Sequence, residues 1–468
     1  MRVSLLLTLS VAFGIGCGAG SLGTTSDGGG SGGTGGEANG GSGGQANGGT
    51  TGSAGHANGG TTGNGGTTGV AGHASGGSAG HAAGGSAGHA NGGSAGHASG
   101  GTTGSGGTTG DGGTTGSGGA ATSSDWPAGN PNGSCKAGVP SGGQPADVSS
   151  PTTVVGTGTA DSCTFSALNT AVGKAGVITF NCGSDPVTIT VTSTMKLSIS
   201  KDTVIDGGNK ITLDGGHAVQ ILNYSSGNFQ ATDTRVTLQH LKLVNGKTNP
   251  TDMIPTAPAP CSQGYDDGQG GALFMRDGNL TVIDCIFDGN QAAQLGPDTG
   301  GGAIYIEGSD LGAIIVGSTF TNNSGSNAGA VGGLFAELDV YNSLFENNTA
   351  TGHDANNDDA SMCSAINNNQ NESGSGGNGG ALYGDGNGFN IILCGDAVLN
   401  NAAGKNAFGG GLFFTSDDMS GDLTITDTTM TGNTGGSWTN ANSSNVDDAG
   451  GAVGCNVNKL TVTNSTLQ

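Results

Sequence analysis

Apolar side chains recur on a fixed frame through the carboxy-terminal half of the chain. In "GGALFMRDGNLTVIDCIFDGN", Gly270 to Asn290, the residues Leu280, Val282, Phe287 and Asn290 stand at offsets 0, 2, 7 and 10. The same offsets recover Ala313, Ile315, Phe320 and Asn323, then Leu338, Val340, Phe345 and Asn348. They recover Ile391, Leu393, Val398 and Asn401, and then Leu423, Ile425, Met430 and Asn433. Val236, Leu238 and Leu243 fit upstream with Gly246 in the Asn position, and Leu460, Val462 and Leu467 fit downstream.

A glycine pair precedes each of the last six rows: Gly270-Gly271, Gly301-Gly302, Gly332-Gly333, Gly379-Gly380, Gly410-Gly411 and Gly450-Gly451. Successive pairs are 31, 31, 47, 31 and 40 residues apart, a base length with additions that leave as loops. Offsets 0 and 2 share a face of one strand. Offset 7 lies past a bend and points inward again. Strands this short, turning corners with inward residues on each side, predict coils stacked in parallel, each covering its neighbour's edge. The glycine pairs mark corners where φ is positive or backbones approach closely. Asn at offset 10 is a corner residue tolerant of left-handed geometry, and stacked Asn290, Asn323 and Asn348 are expected to extend the hydrogen-bond ladder.

Upstream, "PVTITVTSTMKLSISKDTVIDGGNKITLDGG" gives short strands with turns at Asp206 to Gly208 and Asp214 to Gly216. Before it, Ser166 to Val172 predicts one short helical turn and Val177 to Phe180 a strand, bracketed by Cys163 and Cys182. Residues 125–185 are read as an approach and a cap over the first open edge. The body proper spans 186–468, and its last row stops at Gln468 before an Asn, an edge open through truncation or covered by a partner chain.

"GGAL", "GGAI", "FDGN", "FTNN" and "FENN" resemble the repeats of the polymorphic outer membrane protein family, within the pectin-lyase-like superfamily. The resemblance runs from about Asp161 to Gln468 and implies an all-β fold, a single-stranded right-handed parallel β-helix, with a role in adhesion.

Composition adds a second region. Of 101 glycines, many fall between Gly18 and about Ser124, a stretch of Gly, Ser, Thr, Ala and Asn too poor in apolar residues to form a core. Residues 17–124 are therefore a disordered tether with a reach of roughly 57 Å. His73, His81, His89 and His97 mark an eight-residue repeat, with His56 earlier. Chelation there would order a flexible chain at about 1 kcal/mol or more per residue, so these histidines read as a neutral repeat. Residues 1–16 read as a secretory signal, similar to a bacterial lipoprotein signal that places the lipid on Cys17. That places the chain at a bacterial outer membrane, cell surface or extracellular space, held to membrane by its anchor.

Eight cysteines remain, Cys135, Cys163, Cys182, Cys261, Cys285, Cys363, Cys394 and Cys455, enough for four disulfides in 105 connectivities. A formal charge of −23 argues against nucleic acid as a partner. Adjacent acids at Asp266 and Asp267, and at Asp358 and Asp359, are candidate calcium ligands that would pin loops, although no cofactor is required. Asp417, Asp418, Asp447 and Asp448 read as solvated loop acids. Arg235 and Arg276 match no catalytic pattern, and His217 and His240 read as solitary. No complete catalytic constellation stands out. The sequence thus points to a surface structural or adhesion protein presenting loops, chiefly Thr349 to Asn378, to a surface carbohydrate or protein, with Trp438 available to stack on a sugar. The alternative is an extracellular polysaccharide lyase or glycoside hydrolase.

Overall fold

A computed structural model describes residues 126, 129–254, 257–258, 261–355, 374–416, 418–435, 452–455 and 457–468. Cys17, the signal and the histidine repeats lie outside the described residues, as do Asp358, Asp359, Cys363, Asp417, Trp438, Asp447, Asp448 and the Gly450-Gly451 pair.

The described chain is all-β, dominated by parallel sheets in a β-solenoid arrangement, with a single α-helix. One coil runs through strands Leu273–Arg276, Asn279–Ile283 and Ile286–Asp288. The next repeats the plan with Ile304–Glu307, Ala313–Val316 and Thr319–Thr321. Each strand pairs in parallel with its counterpart one coil on. Leu280 pairs with Ala313, Ala313 with Leu338, Leu338 with Ile391, Ile391 with Leu423, and Leu423 with Leu460. At offset 7, Phe287 pairs with Phe320, Phe320 with Phe345, Phe345 with Val398, and Val398 with Met430.

Three faces result. The first is an eight-stranded sheet that includes Leu222–Ser225, Leu273–Arg276 and Ile304–Glu307. The second and third carry offsets 0 to 3 and 6 to 8. They merge into one sheet because Thr203–Asp214 and Arg235–Val244 run unbroken through the corner between them. From Val236 to Met430, offsets 0, 2 and 7 all lie in one buried core; in the last row Leu460 and Leu467 are half-buried against it and Val462 is exposed. Phe287, Phe320 and Phe345 stack there with centroids 4.8 and 4.7 Å apart and rings within 3° of parallel. Parallel registry imposes this spacing, the separation of adjacent strands. Each aromatic pair adds about 0.5–1.5 kcal/mol beyond area burial.

At the amino end the helix is longer than the one turn expected, spanning Phe165–Lys174. Thr164 caps it, its side chain accepting from the Ala167 N–H at 3.2 Å. Leu168, Ala171 and Val172 bury into the same core as Val155, Ile178 and Met195, and the Cys163–Cys182 disulfide closes the unit. Asp206 to Gly208 is not a turn. The strand continues through it with a register shift between Asp206 and Ile211, a bulge that lets Gly207 lie against the His240 carbonyl.

Residues 129–147 do not sit at that end. They form a strap along the second face, where Val139 packs on Ile314 and Val316. The Cys135–Cys394 disulfide, bridging a sequence separation of 259, and the Lys136–Asp427 ion pair at 2.7 Å fasten it. Cys261 is disulfide-bonded as well. Of the eight candidate cysteines, Cys285 is a free thiol buried in the core, whose pKa burial pushes up to about 12. Cys455 lies in the strand Ala452–Cys455.

Candidate functional site

The corners set the geometry of every outward side chain. Gly270, Gly301 and Gly379 adopt φ of 60°, 64° and 71°, and Gly271, Gly302 and Gly380 follow them around the bend. A Cβ on Gly270 would lie 2.1 Å from the Leu273 carbonyl oxygen, so only glycine turns there without displacing backbone. Two of the expected pairs are not corners. Gly332 and Gly333 lie within the strand Val331–Leu334, and the bend of that coil is made by Ala328, at φ 51°, with Gly329. Two coils later the left-handed residue is Gly409, so the corner pair is Gly409-Gly410 and Gly411 begins the strand approach.

The asparagines form a continuous buried ladder. Asn290 Nδ2 donates to Asn323 Oδ1, Asn323 Nδ2 to Asn348 Oδ1, Asn348 Nδ2 to Asn401 Oδ1, and Asn401 Nδ2 to Asn433 Oδ1, each at 2.9 Å. The backbone N–H of each donates to the same oxygen, and Gly246 enters the ladder through its N–H to Asn290 Oδ1 at 2.7 Å. The left-handed residue is one position earlier than expected: Asn245, Gly289, Asn322, Asn347, Asn400 and Gly432 at offset 9 carry the positive φ.

A second ladder at offset 5 has no counterpart in the sequence reading. The Cys285 N–H donates to Ser318 Oγ, Ser318 N–H to Ser343 Oγ, Ser343 N–H to Asp396 Oδ1, and Asp396 N–H to Thr428 Oγ1, at 2.7 to 3.2 Å. Asp396 Oδ2 is buried with no hydrogen-bond partner, and burial drives its carboxyl well above the usual range. At offset 4, His240 and Asp284 share the left-handed corner conformation. His240 is not solitary. Its Nδ1 donates to Asp206 Oδ1 at 3.3 Å and its Nε2 faces Asp284 Oδ2 at 3.8 Å. The hydrogen bond to Asp206 raises the His240 pKa. Burial works to raise Asp206, and the bonds from His240, Gln239 and Gly208 outweigh it. Gln239 links this corner to the strap by accepting from the Ala146 N–H at 2.8 Å.

The loop acids hold loops. Asp267 Oδ1 accepts from the N–H groups of Thr251 and Asp252 at 2.8 Å, and Oδ2 from Thr251 N–H and hydroxyl. Asp266 is raised by burial and by the charges of Asp252 and Asp267. Asp418 closes its own turn by accepting from Ser416 and Ser420. Among the described residues no group of three or more His, Cys, Asp or Glu side chains is placed to hold a metal ion. Arg276 pairs with Glu307, Arg235 donates to Thr281 Oγ1 at 2.9 Å, and His217 is exposed.

The outward row of the first face supplies a concave site. In register across the coils stand Lys196, Asn223, Phe274, Tyr305, Gly332, Tyr383 and Phe413. From Tyr305 onward this aromatic row is buried. The Tyr305 hydroxyl donates to the Asp298 carbonyl at 3.1 Å, Tyr383 stacks on Phe413 at 5.4 Å, and Phe408 packs beside them. Gly332 is glycine because a Cβ would lie 2.6 Å from the Tyr305 ring. Toward the amino end the row is uncovered, leaving a cleft of about 380 Å³. Asn223 and half-buried Phe274 lie along it, Gln220 and Lys247 line it at the corner, and Asp267 and Gln269 come from the neighbouring loop. Gln220 donates through Nε2 to the Gln269 and Gly270 carbonyls and accepts from Asn223 Nδ2 at 3.0 Å, so the polar groups are held in fixed orientation. An aromatic face beside oriented amides can stack on an apolar ring face and hydrogen-bond hydroxyls at its edge. The signal for this site was the residue after the first inward position of each first-face strand, a row legible only once those strands are aligned.

No protein-family model, curated protein or solved structure matches the chain.

Proposed function

We propose that the protein is an exported adhesion module whose parallel solenoid, of right hand, binds surface carbohydrate through the cleft beside Phe274. In this reading Cys17 carries the lipid anchor at a bacterial outer membrane and the glycine-rich tether sets the reach. The coarse architecture, a large all-β structure rich in loops, suits a structural or carbohydrate-interacting surface protein.

The observation that carries the reading is the row of Asn223 and Phe274, open where the rest of its aromatic column is covered. Successive coils repeat about every 4.8 Å, so an extended chain of sugar rings crossing the coils meets a new outward side chain at each step. Hydrolysis takes two carboxylates facing each other roughly 5–9.5 Å apart. Asp267, at the cleft wall, has both oxygens engaged by the Thr251 and Asp252 segment, which favours binding over cleavage.

The test is to apply the full chain to a glycan array and to incubate it in parallel with the polysaccharides it retains. Retention without new reducing ends or unsaturated uronate supports the reading. Accumulating product would replace it with the lyase or hydrolase alternative, and no retention on any glycan would remove it.

A further inference from the structure

The overall negative charge is unevenly distributed. Of the twelve Lys and Arg residues, eight fall between residues 174 and 276, where they meet eight Asp; residues 277–468 hold two basic against 21 acidic residues. The coils that carry the open cleft are therefore neutral, while those beyond are strongly acidic.

Within the neutral coils, two lysines stand at the cleft. Lys247 lines it, and Lys196 continues the outward row of Asn223 and Phe274, its Nζ donating to Asn223 Oδ1 at 3.0 Å. Neither is ion-paired among the described residues, whereas Lys136 and Arg276 elsewhere are. The acid at the same wall, Asp267, keeps its charge but has both oxygens engaged by the N–H and hydroxyl groups of its own loop, so it offers the cleft no free acceptor. The charged groups at the cleft are thus two lysines without an ion-pair partner among the described residues against one carboxylate held by its own loop, beside an aromatic ring and fixed amides.

We infer that the cleft beside Phe274 takes an anionic glycan, a saccharide chain bearing carboxylate or sulfate groups, whose charge is met by Lys196 and Lys247 while Phe274 and Asn223 take a ring. This inference rests on the carbohydrate reading and adds the ligand's charge to it. The acidic coils beyond repel such a chain, so it is confined to the amino-terminal end of the first face, and the same repulsion selects against anions on the remaining flank.

Calorimetric titration of the full chain with three probes tests it: an oligogalacturonate, a heparin-derived oligosaccharide of similar length, and a neutral cello-oligosaccharide. Binding of one or both acidic probes, weakened by salt, is expected. Lys196→Gln and Lys247→Gln should each weaken it about tenfold, the scale of a charge-assisted contact. Lys247→Arg should retain it, with thermal melts showing all variants folded. The two acidic probes separate carboxylate from sulfate as the preferred group. Preference for the neutral probe, or acidic binding indifferent to both lysine substitutions, would overturn the charge assignment and leave the carbohydrate reading standing. Failure of all three, with no glycan retained on the array, would overturn both.

Discussion

Asn323 Nδ2 donates to Asn348 Oδ1 at 2.9 Å, and the Asn323 backbone N–H donates to that same oxygen at 3.0 Å, inside a fully buried corner. One side chain thus satisfies two donors of its neighbour. The arrangement repeats from Asn290 to Asn433, so each amide is both held and holding. Asn323→Ala would strand the backbone N–H and one Nδ2 hydrogen of Asn290 in the interior, the other remaining bonded to the Leu243 carbonyl. The expected loss is about 1–3 kcal/mol, read as a lower midpoint in denaturant with unchanged slope. A melt matching wild type would show that the ladder accompanies the fold without supporting it.

The second ladder gives a different outcome. Its Asp396 places an unpartnered oxygen among neighbours that use Ser or Thr, namely Ser343 and Thr428. Asp396→Thr keeps an acceptor for the Ser343 N–H and removes the orphan oxygen. Stability should rise at neutral pH, since removing a buried unsatisfied group recovers about 1–3 kcal/mol. Guanidinium unfolding of the two proteins side by side decides the sign.

Acid dependence follows from Asp339. Burial, and then the nearby Glu337 charge, raise its carboxyl to about 6. Its folded pKa lies above its unfolded value, so the folded state binds the extra proton. Its contribution is complete below the unfolded pKa and is lost as pH climbs through about 6. Asp339→Asn should flatten the stability profile between about pH 4 and 6. An unchanged profile would place the titration elsewhere.

The strap offers a test of long-range fastening. Cys394→Ser should cost about 2–5 kcal/mol and expose residues 129–147 to protease while the coils remain resistant. Gel mapping of the first cleavage sites reads this directly; simultaneous digestion of strap and coils would mean that the disulfide holds the whole solenoid.

The frame at offsets 0, 2, 7 and 10 was legible because every coil must refill the same inward positions with apolar groups or Asn. Where a position tolerates several chemistries, the sequence is mute. Offset 4 is filled by His240, Asp284, Gly317, Asn342, Gly395 and Asp427, alike only in their positive φ. Offset 5 is filled by Cys285, Ser318, Ser343, Asp396 and Thr428, alike only in being buried near a backbone N–H or within reach of one. Gly332-Gly333 misled because a glycine pair has two uses, bending a corner and making room beside Tyr305, while Ala328 took the corner itself. The His240 contacts and the strap had no local signature. Their partners lie 34 and 259 residues away and meet only when coils stack. The cleft was hidden for the same reason, since Lys196, Asn223 and Phe274 become neighbours only through the register of the first face.

The central claim, that the open end of the first-face row binds saccharide, is tested most directly by titrating a glycan retained by the full chain into Phe274→Ala and Asn223→Ala and comparing both with wild type. Half-buried and lining the cleft, these side chains should each contribute about tenfold to affinity, with melting temperatures close to wild type. Wild-type affinity in both variants would contradict the claim and move the binding surface away from this cleft.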